Sequence, residues 1–187
     1  YDLYIANTTK GTSFDKTVTT NSATLKGLTP ANEYTVKVRA YAGGWKSYSS
    51  TLTRHTLAPK VTGFKQTKRS GTKLSFKWDK IDGADGYNLY SYNSSTKKYT
   101  KLTSFTGSSG TASLKGGTTY KLCLAAYTVD SETKLGAKSA QISTYTNPAK
   151  VNLKSVTSPS STKIKVNWLK PAGGVSGYQI VWARDKS

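Results

Sequence analysis

Leu114-Lys115-Gly116-Gly117-Thr118-Thr119-Tyr120 runs directly into Lys121-Leu122-Cys123-Leu124-Ala125-Ala126. Two glycines break the chain. From Tyr120 onward Leu122, Leu124 and Ala126 share one phase and Lys121, Cys123 and Ala125 the other, the period of two that marks a half-buried strand. The same turn-then-strand signature stands earlier as Leu28-Thr29-Pro30-Ala31-Asn32-Glu33-Tyr34, offset by 86 residues at both ends (114 − 28, 120 − 34).

Further matches extend outward from this pair. Tyr1-Asp2-Leu3-Tyr4 corresponds to Tyr87-Asn88-Leu89-Tyr90, again at 86 (87 − 1), and Asn7-Thr8-Thr9-Lys10 falls opposite Asn93-Ser94-Ser95-Thr96. A second series lies 90 residues on: Pro59-Lys60-Val61 recurs as Ala149-Lys150-Val151, and Lys73-Leu74-Ser75-Phe76-Lys77-Trp78 as Lys163-Ile164-Lys165-Val166-Asn167-Trp168 (151 − 61, 168 − 78). Tyr178-Gln179-Ile180-Val181 adds a third version of the Tyr87 strand. Fixed offsets across separate landmarks are the signature of an internal repeat.

Each copy alternates in phase. Leu74, Phe76 and Trp78 face one way, and Lys73, Ser75 and Lys77 the other. Turn residues separate the runs: Asp82-Gly83-Ala84-Asp85-Gly86, Asn93-Ser94-Ser95, Gly107-Ser108-Ser109-Gly110 and Gly116-Gly117. The 187 residues include 16 Gly and no Met, and no stretch carries a helical period. About seven short strands in about 90 residues predict an all-β chain of two-sheet sandwiches.

These residues carry a family resemblance. Trp78 on the second strand, Gly86-Tyr87 opening the third, and Leu114 followed by Tyr120 before an alternating strand resemble the fibronectin type III domain, an immunoglobulin-like β-sandwich. The Leu114 to Tyr120 spacing is similar to that family's tyrosine corner, in which a Tyr hydroxyl ties a loop to backbone at the sandwich edge. The resemblance implies tandem repeats: residues 1–56 as the later part of one domain (strands C to G), 57–147 as a complete domain, and 148–187 as the opening of a third (strands A to C). The Asn93 to Tyr99 turn and the Pro-Ala-Lys-Val linker look most like copies from large secreted or wall-attached proteins of Gram-positive, often gut, bacteria. The ends then read as cuts through a longer array. A second expectation is that residues 148–187 supply the strands that residues 1–56 lack, so that copies join head to tail by strand complementation.

Bulk properties narrow the function. The longest apolar runs are a few residues, far short of the roughly 20 that span a bilayer. One cysteine, Cys123, excludes a disulfide framework. A formal net charge of +19 invites anionic partners. Yet the basic residues are dispersed and only four are Arg (Arg39, Arg54, Arg69, Arg184), which disfavours nucleic acid and suits strand faces kept soluble by Lys.

Residues able to carry chemistry are few. His55, the only histidine, lacks an Asp or Ser constellation and reads as an exposed strand residue. Asp79, Asp82 and Asp85 cluster without calcium-loop spacing and read as turn formers. Cys123 has the phase of Lys37 and is expected on the outer face, with no neighbour to activate it. No catalytic residue, metal site or cofactor is expected, and the chain is read as a non-enzyme. Trp78, Tyr87, Leu114, Tyr120, Tyr34 and Trp168 are assigned to the core. Trp45 and Tyr48, in the glycine-rich hairpin Ala42 to Tyr48, and Tyr90 and Tyr92, on the outer phase of the third strand, are the candidate ligand-binding aromatics.

The expected function is therefore that of a structural spacer repeat in an extracellular, secreted or cell-wall-attached bacterial protein, its first partners being neighbouring domains of the same polypeptide. The alternative is an adhesion module for a glycan, a host surface protein or an anionic wall polymer, or an accessory to a secreted hydrolase. Short linkers holding one Pro each, Leu57 to Lys60 and Asn147 to Lys150, favour an extended string of domains.

Overall fold

In the computed structural model, which describes residues 1–182, every regular element is a strand. The first copy contributes one sheet from β1 (Asp2–Asn7), β2 (Thr12–Thr17), β3 (Glu33–Ala42), β4 (Trp45–Tyr48) and β5 (Leu52–His55), with both β4 and β5 paired to β3. Asn7 and Gly11 close the β1–β2 hairpin: Gly11 takes positive φ, its N–H donates to the Asn7 carbonyl, and the Asn7 carboxamide accepts from Lys10 N. One face of this sheet buries Leu3, Ile5 and Tyr34, with Val18, Leu25, Leu28, Val36 and Val38 packed against them.

The central copy holds β6 (Lys65–Ser70), β7 (Lys73–Lys77), β8 (Gly86–Asn93), β9 (Lys98–Phe105), β10 (Ser109–Ser113), β11 (Thr119–Val129), β12 (Thr133–Leu135) and β13 (Ile142–Tyr145). They form two antiparallel sheets, β10-β7-β6 and β12-β11-β8-β9, and β13 adds to β11 beyond β12. The predicted phases meet between the sheets. Leu74, Phe76 and Trp78 from one side and Tyr87, Leu89, Leu122, Leu124 and Ala126 from the other make a single buried cluster. Burying an aliphatic or aromatic side chain of this size contributes about 1.5–3 kcal/mol, and this shared face is why two sheets adhere. Trp78 stands at its centre, 5.2 Å from the Tyr87 ring and 5.4 Å from Phe105.

Register detail repeats between the first two copies. The Thr29 N–H donates to the Tyr34 hydroxyl (2.8 Å), while the Tyr120 hydroxyl donates to the carbonyl of Lys115 (3.3 Å); the backbone partners are equivalent (115 − 29 = 86). Both tyrosines thus brace the corner that precedes their own strand. The stretch that pairs last with the long strand of the first two copies is interrupted at a serine. Ser49 N donates to Val38 O and its hydroxyl accepts from Val38 N, and Ser139 makes the same pair of bonds with Leu124. This break separates β4 from β5, and again β12 from β13.

The third copy contributes β14 (Asn152–Ser160) paired with β15 (Lys163–Leu169). Here an expectation fails: Tyr178 to Val181, read as a strand, forms none. In the central copy the equivalent β8 is held between β9 and β11, and no such neighbours stand beside Tyr178 among the described residues. The packing contact survives without the ladder, since Trp168 and Tyr178 lie 5.2 Å apart, the same spacing as Trp78 and Tyr87. Val156, Val166, Trp168, Ile180 and Trp182 line an open apolar groove of about 810 Å³, the face that a second sheet covers in the central copy. Residues 183–187 lie outside the described residues, and with them the close of the expected 148–187 unit.

Candidate functional site

The four aromatics expected to bind ligand do not form one site. Trp45 is 84% exposed and Tyr48 52%, both on the β3–β4 hairpin whose turn is Gly43-Gly44, each glycine at positive φ. Lys37 sits over the Tyr48 ring at 4.8 Å. On the same outer face Arg39 pairs with Asp2 and lies 5.4 Å from the Tyr4 ring. The Arg39 guanidinium holds the Asp2 carboxyl below the usual carboxylate range, with the Thr17 hydroxyl adding to the effect.

Tyr90 and Tyr92 belong to the central copy and are differently placed. Tyr90 is only 8% exposed, packed with Cys123 and Ala125, so its ring is a packing element rather than an open platform. This corrects the reading of Tyr90 as a binding residue. It also corrects Cys123. Register places Cys123 opposite Tyr90 on the outer phase as expected, but the position is fully buried. The Lys138 ammonium caps the cluster, 5.3 Å from the Tyr90 ring and 4.6 Å from Tyr99. Burial pushes the Cys123 thiol up, away from the thiolate form that reacts. Tyr92 is half-buried and stacks on Tyr99 at 4.8 Å. The core candidates Trp78, Tyr87 and Tyr34 are buried, while Leu114, Tyr120 and Trp168 are partly covered.

His55 departs furthest from expectation. It is no exposed strand residue: its side chain is 14% exposed and its Nδ1 lies 2.7 Å from Oδ1 of Asp130, in the next copy. The His55 backbone N–H donates to the same oxygen at 3.0 Å, and Lys134 Nζ stands 3.3 Å from the other. Asp130 is 5% exposed. The His55 side chain, foremost among these contacts, holds its carboxyl below the usual carboxylate range. Asp130 occupies the β11–β12 turn, Asp130-Ser131-Glu132, which is longer than the two-glycine turn of the first copy. That extra length carries the carboxylate to the end of β5.

The acidic loop is structural by its bonds. The Asp85 carboxylate accepts from Val129 N (2.7 Å), and Asp85 N donates to Tyr127 O. Asp79 packs against Gly63, where an added Cβ would lie 2.5 Å from the carboxylate. Among the described residues no group of three or more His, Cys, Asp or Glu could hold a metal ion, and no helix is long and apolar enough to cross a membrane.

Backbone contacts complete the junction between the first two copies. Ala31 N donates to Leu57 O, Thr56 N to Asn32 O, and the Thr56 hydroxyl to Thr29 O. Ala58, inside the linker, is buried, and at Gly136 an added Cβ would meet the Ala58 carbonyl at 2.2 Å. Of these residues the sequence reading missed Asp130, Ala31 and Gly136. The length difference between the two hairpins was the available signal for Asp130.

The central copy closes as a two-sheet sandwich, the first copy contributes one sheet of such a unit, and in both a tyrosine braces the corner before its strand. Residues 1–55 match the model of the fibronectin type III domain. Two solved structures are similar. The FN1–FN3 domains of chicken CNTN1 are 18% identical over 78% of this chain and 53% of that one, with a TM-score of 0.39. A segment of two fibronectin type III domains from chicken tenascin is 18% identical over 76% of this chain and 81% of that one, with a TM-score of 0.44. The chain spans about half the length of the CNTN1 structure it matches.

Proposed function

We propose that this chain is a non-catalytic spacer segment of an extracellular protein, secreted or attached to a bacterial cell wall, in which successive fibronectin type III copies hold other parts apart. The observation that carries this reading is direct packing of one copy on the next: Ala31 of the first copy, buried in the core cluster of the central one, and an inter-copy ion pair, His55–Asp130. A linker serving only as a tether has no need of either. The net charge of +19, spread over strand faces, keeps such an array soluble and its edges unpaired. The bacterial setting rests on the resemblance of the turn and linker sequences.

One observation favours a second reading, adhesion. Trp45 presents an exposed ring on a hairpin tip, on the face opposite Tyr41 and Tyr48, a form that suits stacking on a sugar. Against it, Trp45 pairs with Ala42 as Lys134 pairs with Thr128, in equivalent register (128 − 42 = 86). In the central copy that hairpin edge grips the preceding copy. The spacer reading therefore assigns Trp45 to inter-module contact. Glycan arrays and anionic wall polymers, probed with the wild-type chain and with Trp45→Ala and Tyr92→Ala, separate the two. Saturable binding lost in either variant overturns the spacer reading, and absence of binding supports it.

A further inference from the structure

Both junctions in the chain are built from the same parts. At the first, Ala31 sits in the corner before β3 with φ of 55°, a left-handed value for a non-glycine residue. At the second, the equivalent corner residue is Gly117 (117 − 31 = 86), with φ of 59°. Each donates its N–H into the linker that follows its own copy: Ala31 to Leu57 O at 3.1 Å, Gly117 to Asn147 O at 3.0 Å. These acceptors are equivalent as well (147 − 57 = 90). A threonine locks each linker to its corner. The Thr56 hydroxyl donates to Thr29 O (2.7 Å) and accepts from Asn32 N (3.1 Å), and the Thr146 hydroxyl donates to Lys115 O (2.6 Å) and accepts from Thr118 N (3.2 Å).

The next copy then seats a glycine on that corner. Gly83, in the β7–β8 loop, lies so close that an added Cβ would fall 2.0 Å from the Ala31 carbonyl oxygen. Gly173, its equivalent (173 − 83 = 90), would meet the Gly116 carbonyl oxygen at 1.8 Å, and its neighbour Gly174 donates to Gly117 O at 3.0 Å. Both glycines have positive φ, 81° and 99°. Contact this close leaves no room for a side chain on the loop; the carbonyl met is that of Ala31 at the first corner and, one position earlier, that of Gly116, the equivalent of Pro30 (116 − 30 = 86), at the second, while the corner residue at positive φ is Ala31 or Gly117.

We propose that the loop after the second strand of each copy is a docking surface whose partner is the corner of the preceding copy, and that this glycine-on-corner joint fixes the angle between neighbours. The inference rests on the spacer reading and sharpens it. A close backbone joint at each junction makes the array a stiff rod rather than beads on a flexible thread. The joint also sets a rule for which copies can be neighbours: a glycine in the loop, and Gly or Ala on the corner before it. A copy with a larger residue at either place would be a hinge. The His55–Asp130 pair adds a latch at the first junction, but the joint does not depend on it.

Spin labels at Ser13→Cys and Lys101→Cys, in a Cys123→Ala background, report the distance between the first and central copies. The expected result is a single narrow distribution, broadened at least twofold by Gly83→Ala. Gly71→Ala is the control. Gly71 also has positive φ (59°) but nothing within 4 Å of an added Cβ; its carbonyl accepts from Asn147 N at the second junction, so it carries a similar backbone strain without touching the first junction, which the labels report. Its distribution should remain as narrow as wild type even if the melting temperature falls. A broad distribution in the wild-type chain, or equal broadening by both variants, overturns the proposal. Glycan binding in the arrays above would instead overturn the spacer reading and leave this distance unchanged.

Discussion

Removing the charge of Asp130 tests whether the two copies are energetically joined. Its Oδ1 accepts from His55 twice, through Nδ1 at 2.7 Å and the backbone N–H at 3.0 Å, and both side chains are largely withdrawn from water. Asp130→Asn keeps a carbonyl oxygen in place and removes the charge. Hydrogen bonds to a charged group contribute about 1.5–3 kcal/mol and neutral ones about 0.5–1.5, so the substitution should cost about 1–2 kcal/mol. Lys134 adds little to this, because its side chain is 37% exposed and its attraction is screened. The assay is urea unfolding of the wild type, Asp130→Asn, His55→Ala and the double variant. A coupling energy of about 1–2 kcal/mol is expected from the cycle. The sign with pH follows from the lowered carboxyl: its contribution is present above the ordinary carboxylate range, near pH 4, and disappears as pH falls through the lower docked value. Strict additivity, within about 0.3 kcal/mol, would refute the claim that the pair binds one copy to the next.

Two further predictions concern the interior. Tyr34→Phe should destabilise the first copy more than Tyr120→Phe destabilises the central one, by about 1–2 kcal/mol. The Tyr34 hydroxyl accepts from both Thr29 N and the buried Asn7 carboxamide, whereas the Tyr120 hydroxyl makes one longer bond near solvent; thermal unfolding of the two variants gives the comparison, and equal losses would contradict it. Cys123 should resist a neutral thiol reagent in the native chain and react fully in denaturant, since it is buried and its thiol is pushed up; rapid native labelling would show that the outer face of the β8–β11 sheet is open.

The core was legible because it depends on phase and large rings. Leu74, Phe76, Trp78, Leu122 and Leu124 alternate with polar residues, and a period of two leaves one face on which they can meet. The tyrosine corners were legible as spacing. Tyr90 and Cys123 were misjudged for a physical reason: phase assigns a side of the sheet, but it cannot say whether that side is wet. Lys138, from the segment between β12 and β13, sets its ammonium over the Tyr90 and Tyr99 rings, and a lysine at that position reads in sequence as exposure. His55 failed similarly. Its partner lies 75 residues away in a turn whose composition, Asp130-Ser131-Glu132, is that of any solvated loop.

The junction joins these two lessons. A glycine in a loop announces a turn, and Gly83 and Gly173 do lie in turns, yet the positive φ they adopt accounts for only half of why glycine is needed. Gly71 takes a similar φ with open space around it, so a turn alone does not require close approach. What distinguishes Gly83 and Gly173 is the carbonyl of the preceding copy, 2.0 and 1.8 Å from where a Cβ would stand. A second copy in the same chain makes that distinction visible from sequence. Turn glycines can drift in position from repeat to repeat, because many loops close equally well, whereas a glycine that must meet a fixed corner recurs at the repeat offset. Gly83 and Gly173 recur at 90 residues, as do Thr56 and Thr146, and Ala31 is replaced at its offset only by Gly117. Applied along a longer array, the same pairing of loop glycine with small corner residue would locate its stiff joints, and each departure from it a bend.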